Sequence, residues 1–163
     1  MNDSYPPGVS VEGRQITLTR VFNAPRALVF AAFTECEHLM HWWGPREWPM
    51  SFCALDLRVG GRWHYAMRSS DGQESWGLGL YDEVTPPERL VYTDVFSDAE
   101  GSINPDLPQS QVVLDFEDLG GKTRVVSVTT TATEEDVEMM VKMGVIPGIT
   151  ETWDRLEEYL AKS

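Results

Sequence analysis

The chain has 163 residues, enough to bury the core of one domain and too few for two comfortable ones. A formal charge of -13 argues against nucleic acid and anionic lipid as partners, since both carry the same sign and attract clustered Lys and Arg. No stretch approaches the roughly 20 apolar residues of a membrane span, and Met1 to Gly13 lacks the basic start and apolar run of a secretory signal, so a cytoplasmic protein is expected.

Residues 1–14 read as a flexible N-terminal segment. Gln15 to Phe22 then alternates Ile16, Leu18, Arg20 and Phe22 against Thr17, Thr19 and Val21, the period of a strand. Ala24-Pro25 breaks it. Leu28, Val29, Phe30 and Phe33 follow at the spacing of a short amphipathic helix, and a second short helix is expected over residues 35–42, stopped by Gly44-Pro45. Strands are expected over residues 52–57, 62–68, 75–84, 89–96, 111–117 and 123–131. Gly60-Gly61, Asp71-Gly72, Pro86-Pro87 and Gly120-Gly121 fall between them, where turn chemistry belongs. Short consecutive connections imply an antiparallel meander. Residues 97–108 make a longer loop, a candidate lid or mouth.

After Thr131 the period becomes helical. Thr133 with Asp136 three residues on suggests a capped helix to about Met143, and Gly144 interrupts it. A last helix runs from about Val145 to Ala161, with Pro147 tolerated in its first turn. Ile149, Trp153, Leu156 and Leu160 form one apolar stripe along it, which the open face of the sheet must cover.

Cys36 and Cys53 are not a C-x-x-C pair, and a domain of this size needs no staple, so reduced thiols are expected. His38 and His41 share a metal-like spacing, but no third ligand accompanies them, and no metal is expected. Gly77-Leu78-Gly79 lies inside a strand and reads as a bend or bulge. Asp56, Glu83, Asp94 and Asp115 are the carboxylates able to serve as a general acid or base. Each is expected on the outer face or paired with a neighbour such as Arg58 or Arg62. No nucleophile elbow, phosphate loop or dinucleotide turn is present, so no catalytic residue and no cofactor are assigned.

The aromatic residues carry the strongest functional signal. There are six tryptophans, and alternation over residues 62–68 puts Trp63, Tyr65 and Met67 on one face and Arg62, His64 and Arg68 on the other. Trp76, Tyr92, Met140, Met143 and Trp153 can meet that apolar face, and Trp43 can project inward at an entrance. Together the nine would line a pocket whose indole N–H and phenol O–H groups orient a ligand. For any one of them alone plain core filling is the favoured reading, and the set as a whole is the better evidence.

Asn23-Ala24-Pro25, His41-Trp42-Trp43-Gly44-Pro45, Asp56-Leu57-Arg58-Val59-Gly60-Gly61-Arg62-Trp63, Tyr81-Asp82-Glu83-Val84, Pro86-Pro87-Glu88-Arg89-Leu90-Val91 and the stretch from Gly144 to Leu160 share one further property. In this order they resemble the domain found in the C-terminal half of the activator of the heat-shock chaperone ATPase, a START-like (SRPBCC) domain. The resemblance spans almost everything from Gln15 onward. It implies an α+β helix-grip (START-like, Bet v-like) fold in residues 15–163: a curved antiparallel sheet of six to seven strands around a long C-terminal helix, with two short helices after the first strand. It also implies a cavity that relatives use for apolar ligands, and only some of them add catalysis. The chaperone role is expected to transfer poorly, because in the activator a separate N-terminal domain makes principal contacts.

Three functions follow as expectations. The leading one is binding of an apolar or aromatic small molecule; the others are a protein-interaction or chaperone-linked domain, and an enzyme acting on a hydrophobic substrate. A homodimer or protein partner is compatible with each. A cavity lined by Trp63, Tyr65 and Trp153 favours binding, an inward carboxylate or histidine favours catalysis, and a filled interior with an exposed apolar patch favours a partner protein.

Overall fold

Alternating apolar residues organise the first two thirds of the chain, and the computed structural model, which describes residues 5–162, turns them into one antiparallel sheet. Its strands are β1 (Val9–Glu12), β2 (Gln15–Phe22), β3 (Met50–Leu55), β4 (Arg62–Arg68), β5 (Glu74–Thr85), β6 (Arg89–Ser97), β7 (Ser110–Asp118) and β8 (Thr123–Thr131). The spatial order is β1-β2-β8-β7-β6-β5-β4-β3, so β3 to β8 form the expected meander and β2 closes against its last strand. The helices are α1 (Arg26–Thr34), α2 (Cys36–Trp42), α3 (Glu134–Lys142) and α4 (Val145–Ala161). This is the helix-grip arrangement, with eight strands among the described residues rather than six or seven.

The additional strand is β1, which falls in the segment expected to be flexible. Val9 and Val11 alternate with polar residues, and Gly13 (φ 58°) with Arg14 makes the two-residue turn that pairs Glu12 with Gln15. Residues 1–4 of that segment lie outside the described residues.

The core lies on the concave face. Phe33 of α1 is its hub, meeting Trp42, Phe116 and Trp153 edge-on at centroid distances of 4.9, 5.4 and 6.1 Å. Trp42 donates its indole N–H to the Ala32 carbonyl (3.0 Å), fixing α2 on α1. Thr133 caps α3 by accepting from the Asp136 N–H, as its spacing predicts. Gly144 ends α3 and begins α4 at φ 89°, a left-handed conformation that side-chain-bearing residues rarely adopt. Among the described residues no helix is long and apolar enough to cross a membrane.

The expectation of reduced thiols is overturned. Packing α2 on β3 brings Cys36 and Cys53 to a Cα separation of 5.7 Å, and they form a disulfide. Sequence spacing gave no hint, because the pairing depends on where the edge strand β3 runs. The bridge spans 17 residues of sequence, and a loop of that length contributes about 3 kcal/mol by restricting the unfolded chain. Replacing both cysteines by serine is expected to lower Tm on the order of 10 °C, read by thermal denaturation. An unchanged Tm, with the native protein shown to be oxidised, would rule out this contribution.

Candidate functional site

The stripe of α4 divides along its length. Trp153, Leu156 and Leu160 are buried in the core, but Ile149, one turn earlier, stands over a space that the curved sheet leaves open. The result is a cavity of about 370 Å³ between the sheet, α3 and α4. At interior packing density it holds a molecule of roughly 15 non-hydrogen atoms. Its floor is the inner face of β4 to β8, and its rim is made by Trp43 to Pro45, Pro108, and Met140 with Met143.

Eight of the nine expected residues reach this lining: Trp43, Tyr65, Met67, Trp76, Tyr92, Met140, Met143 and Trp153. Trp63 does not. It is buried one layer behind, with Tyr65 stacked on it at 4.4 Å, Trp43 at 4.8 Å and Tyr92 at 5.9 Å, so it buttresses three lining rings. Its indole N–H has no hydrogen-bond partner among the described residues. Trp76 touches the lining, but its ring lies against Phe52 and His64 on the convex face. Register explains this: Trp76 is opposite Ala66, not opposite Tyr65.

The position opposite Tyr65 is Gly77, and opposite Trp63 is Gly79. A Cβ on Gly77 would lie 2.7 Å from the Tyr65 ring and hydroxyl, and one on Gly79 would lie 3.1 Å from Trp63 and 3.2 Å from Tyr92. The pair is therefore a shelf on which two aromatic rings lie across the sheet. The bend or bulge expected there is displaced to the Tyr81/Glu83 step of the pairing.

Three of the four candidate carboxylates are where they were expected. Asp56 pairs with Arg58, and Arg89 serves both Glu83 and Asp115. Asp94 is the exception. It follows Tyr92 by two residues on β6, so it shares the inner face, and it lines the cavity. The Tyr65 hydroxyl donates to its Oδ1 at 2.8 Å, its single hydrogen-bond partner among the described residues. Burial pushes the Asp94 carboxyl up to about 6, against the smaller opposing effect of the Tyr65 hydrogen bond. Burial, followed by the nearby Asp94 charge, also raises the Tyr65 and Tyr92 hydroxyls well above their ordinary value, so both are protonated donors.

A family model described as Activator of Hsp90 ATPase homolog 1-like protein (AHSA1) matches residues 23–161. The chain belongs to the AHSA1 family. Solved relatives of this AHSA1 chain include a protein from Arthrobacter aurescens, 26% identical with a TM-score of 0.89 over 96% of this chain and 92% of that one. A protein from Mycobacterium smegmatis is 30% identical, with a TM-score of 0.82 over 93% and 96%. The AHSA1 protein of Silicibacter pomeroyi is 25% identical, with a TM-score of 0.74 over 90% and 97%. No curated protein matches.

In this AHSA1 chain Arg155 of α4 holds the rim. Its guanidinium donates to the carbonyls of His41 (3.1 Å), Trp43 (3.3 Å) and Gly44 (2.7 Å), at and just beyond the C-terminal end of α2, where helical carbonyls lack intrahelical partners. The two histidines considered for metal turn to Tyr159: His38 Nδ1 lies 2.6 Å from its hydroxyl and His41 stacks on its ring. The long loop after β6 is only partly a mouth. Arg62 donates to the Gly101 carbonyl (2.7 Å) and His64 Nε2 to the Asp98 carbonyl (3.0 Å), drawing the loop over the convex face and leaving Pro108 at the rim.

Because the folded Asp94 pKa is raised from 3.8 to about 6, its effect on stability is complete below the lower value and is lost as pH rises through the upper. Asp94→Asn does not titrate and keeps a Tyr65 partner. Relative to the parent it is expected to gain on the order of 2 to 3 kcal/mol between these two pH values and nothing further above them. Urea unfolding across that range reads the gain, and a pH-independent difference would contradict an inward, desolvated carboxylate.

Proposed function

We propose that this chain is a small-molecule binding protein whose ligand, apolar or aromatic in its main body, occupies the cavity between the sheet and α4. The observation that carries the reading is the void beneath Ile149. A helix with a continuous apolar stripe has been held off the sheet along half its length rather than collapsed onto it, although close packing there would stabilise the fold. Trp43, Tyr65, Met67, Tyr92, Met140, Met143 and Trp153 are the proposed contacts, with Trp63 as their support and not as a contact. Met140 and Met143 suit the role because an unbranched, polarisable side chain adapts to varied ligand shapes. A cytoplasmic location remains part of this reading on the strength of the N-terminal sequence; the Cys36–Cys53 disulfide weighs against it.

Catalysis is the second reading, and Asp94 is what favours it, since an inward carboxyl poised near neutrality can exchange a proton with a bound substrate. It ranks below binding because the tyrosines beside Asp94 are held protonated, which leaves the cavity one proton-exchanging group without a complementary one.

The neutral fluorophore N-phenyl-1-naphthylamine tests the binding reading. It is expected to bind one-to-one with blue-shifted emission and to quench Trp43 and Trp153. Ile149→Trp, which fills the cavity, is expected to abolish the signal while Tm stays the same or rises. Equal binding by this variant would place the dye elsewhere and refute the reading.

A further inference from the structure

Among the described residues Asp94 is the only charged side chain in the cavity lining. The elements around it supply no cation: β5 contributes Ser75, Trp76 and Gly77, β7 and β8 contribute serine, threonine and apolar residues, and α3 and α4 contribute methionine, glycine, apolar residues and Thr152. Tyr65 from β4 and Tyr92 from β6 are the remaining titratable groups, and both are neutral donors. Structural carboxylates in an interior are normally matched by Arg, Lys or several N–H donors. This one receives a single neutral hydroxyl, directed at one oxygen. The rings of Trp43, Tyr65, Tyr92 and Trp153 line the same cavity, and the negative faces of such rings attract a cation as well as an apolar body.

We propose that the cavity is selective for amines: an aromatic or aliphatic body of the size the cavity admits, carrying a protonated nitrogen that Asp94 binds and the surrounding rings flank. The inference rests on the binding reading above and narrows it. It excludes fatty acids, phospholipids and other anions, whose charge would face Asp94 with no compensating cation. The surface works in the same direction, since a chain of formal charge -13 attracts cations and repels anions at long range.

The probes are three matched naphthalenes with an ethylamine, an ethanol or a propionate arm, titrated calorimetrically into the full chain near pH 7.5. The amine is expected to bind about tenfold or more tightly than the alcohol, the range of a charge-assisted hydrogen bond over a neutral one, and the propionate is expected not to bind. Asp94→Asn should bring amine and alcohol together. The parent protein supplies a second readout that needs no variant. Lowering the pH through about 6 protonates Asp94, so the amine's advantage should fade while the alcohol's affinity holds. An amine that binds no better than the alcohol, a tighter propionate, or an advantage unchanged by pH and by Asp94→Asn would each overturn amine selectivity and leave the cavity reading standing. Binding of none of the three would remove both.

Discussion

The absence of two side chains on β5 governs the concave face. With hydrogen in place of Cβ at Gly77 and Gly79, Tyr65 and Trp63 lie across the neighbouring strand instead of standing away from it. Tyr65 thereby reaches over β5 to Asp94 on β6, and Trp63 reaches Tyr92. A packing vacancy has become an electrostatic arrangement: the hydroxyl that contacts the carboxylate is placed by the strand between them. Alanine at Gly77 would displace the Tyr65 ring, and Trp43, which packs edge-on against Tyr65, would lose part of its support.

α4 supplies the second half of the design. Its C-terminal turns are committed to the core through Trp153, Leu156 and Leu160, while its first turns roof a space. One helix therefore serves both stability and function, divided at Trp153, which touches both the Phe22–Phe33 cluster and the cavity. Keeping Asp94 in such surroundings lowers the stability of the unliganded protein at neutral pH. Strain of this kind persists in folded proteins when a site depends on it.

Much of this was legible in the sequence, for identifiable reasons. Strands β2 to β8 announce themselves through period-two alternation between glycine- and proline-marked turns, and α4 through its stripe. The lining aromatics were legible for the same reason, since alternation fixes which face Tyr65 and Met67 occupy. Trp76 and Trp63 were harder: the first depends on cross-strand register, the second on how many layers of rings the cavity wall has, and neither is a local property. The disulfide required knowing that β3 runs beside α2. Asp94 is different, because its signal was present. It lies two residues beyond Tyr92 on one strand, so any reading that turned Tyr92 inward also turned Asp94 inward. The general rarity of buried carboxylates outweighed the local geometry, and the geometry was the better guide.

Arg155 joins parts that a cavity would otherwise keep separate. Its one guanidinium grips three carbonyls of the short stretch that ends α2, and it projects from the helix that forms the roof. Arg46, just beyond that backbone, is tied to α4 again through Glu151 and Glu158. Roof and near rim are thus a single rigid jaw. The opposite side is built differently: there α3 meets α4 at Gly144, and Met143 stands largely in solvent. The mouth of the interior is thereby asymmetric: its tryptophan side is a doorpost fastened to the roof, while its α3 side presents an exposed methionine.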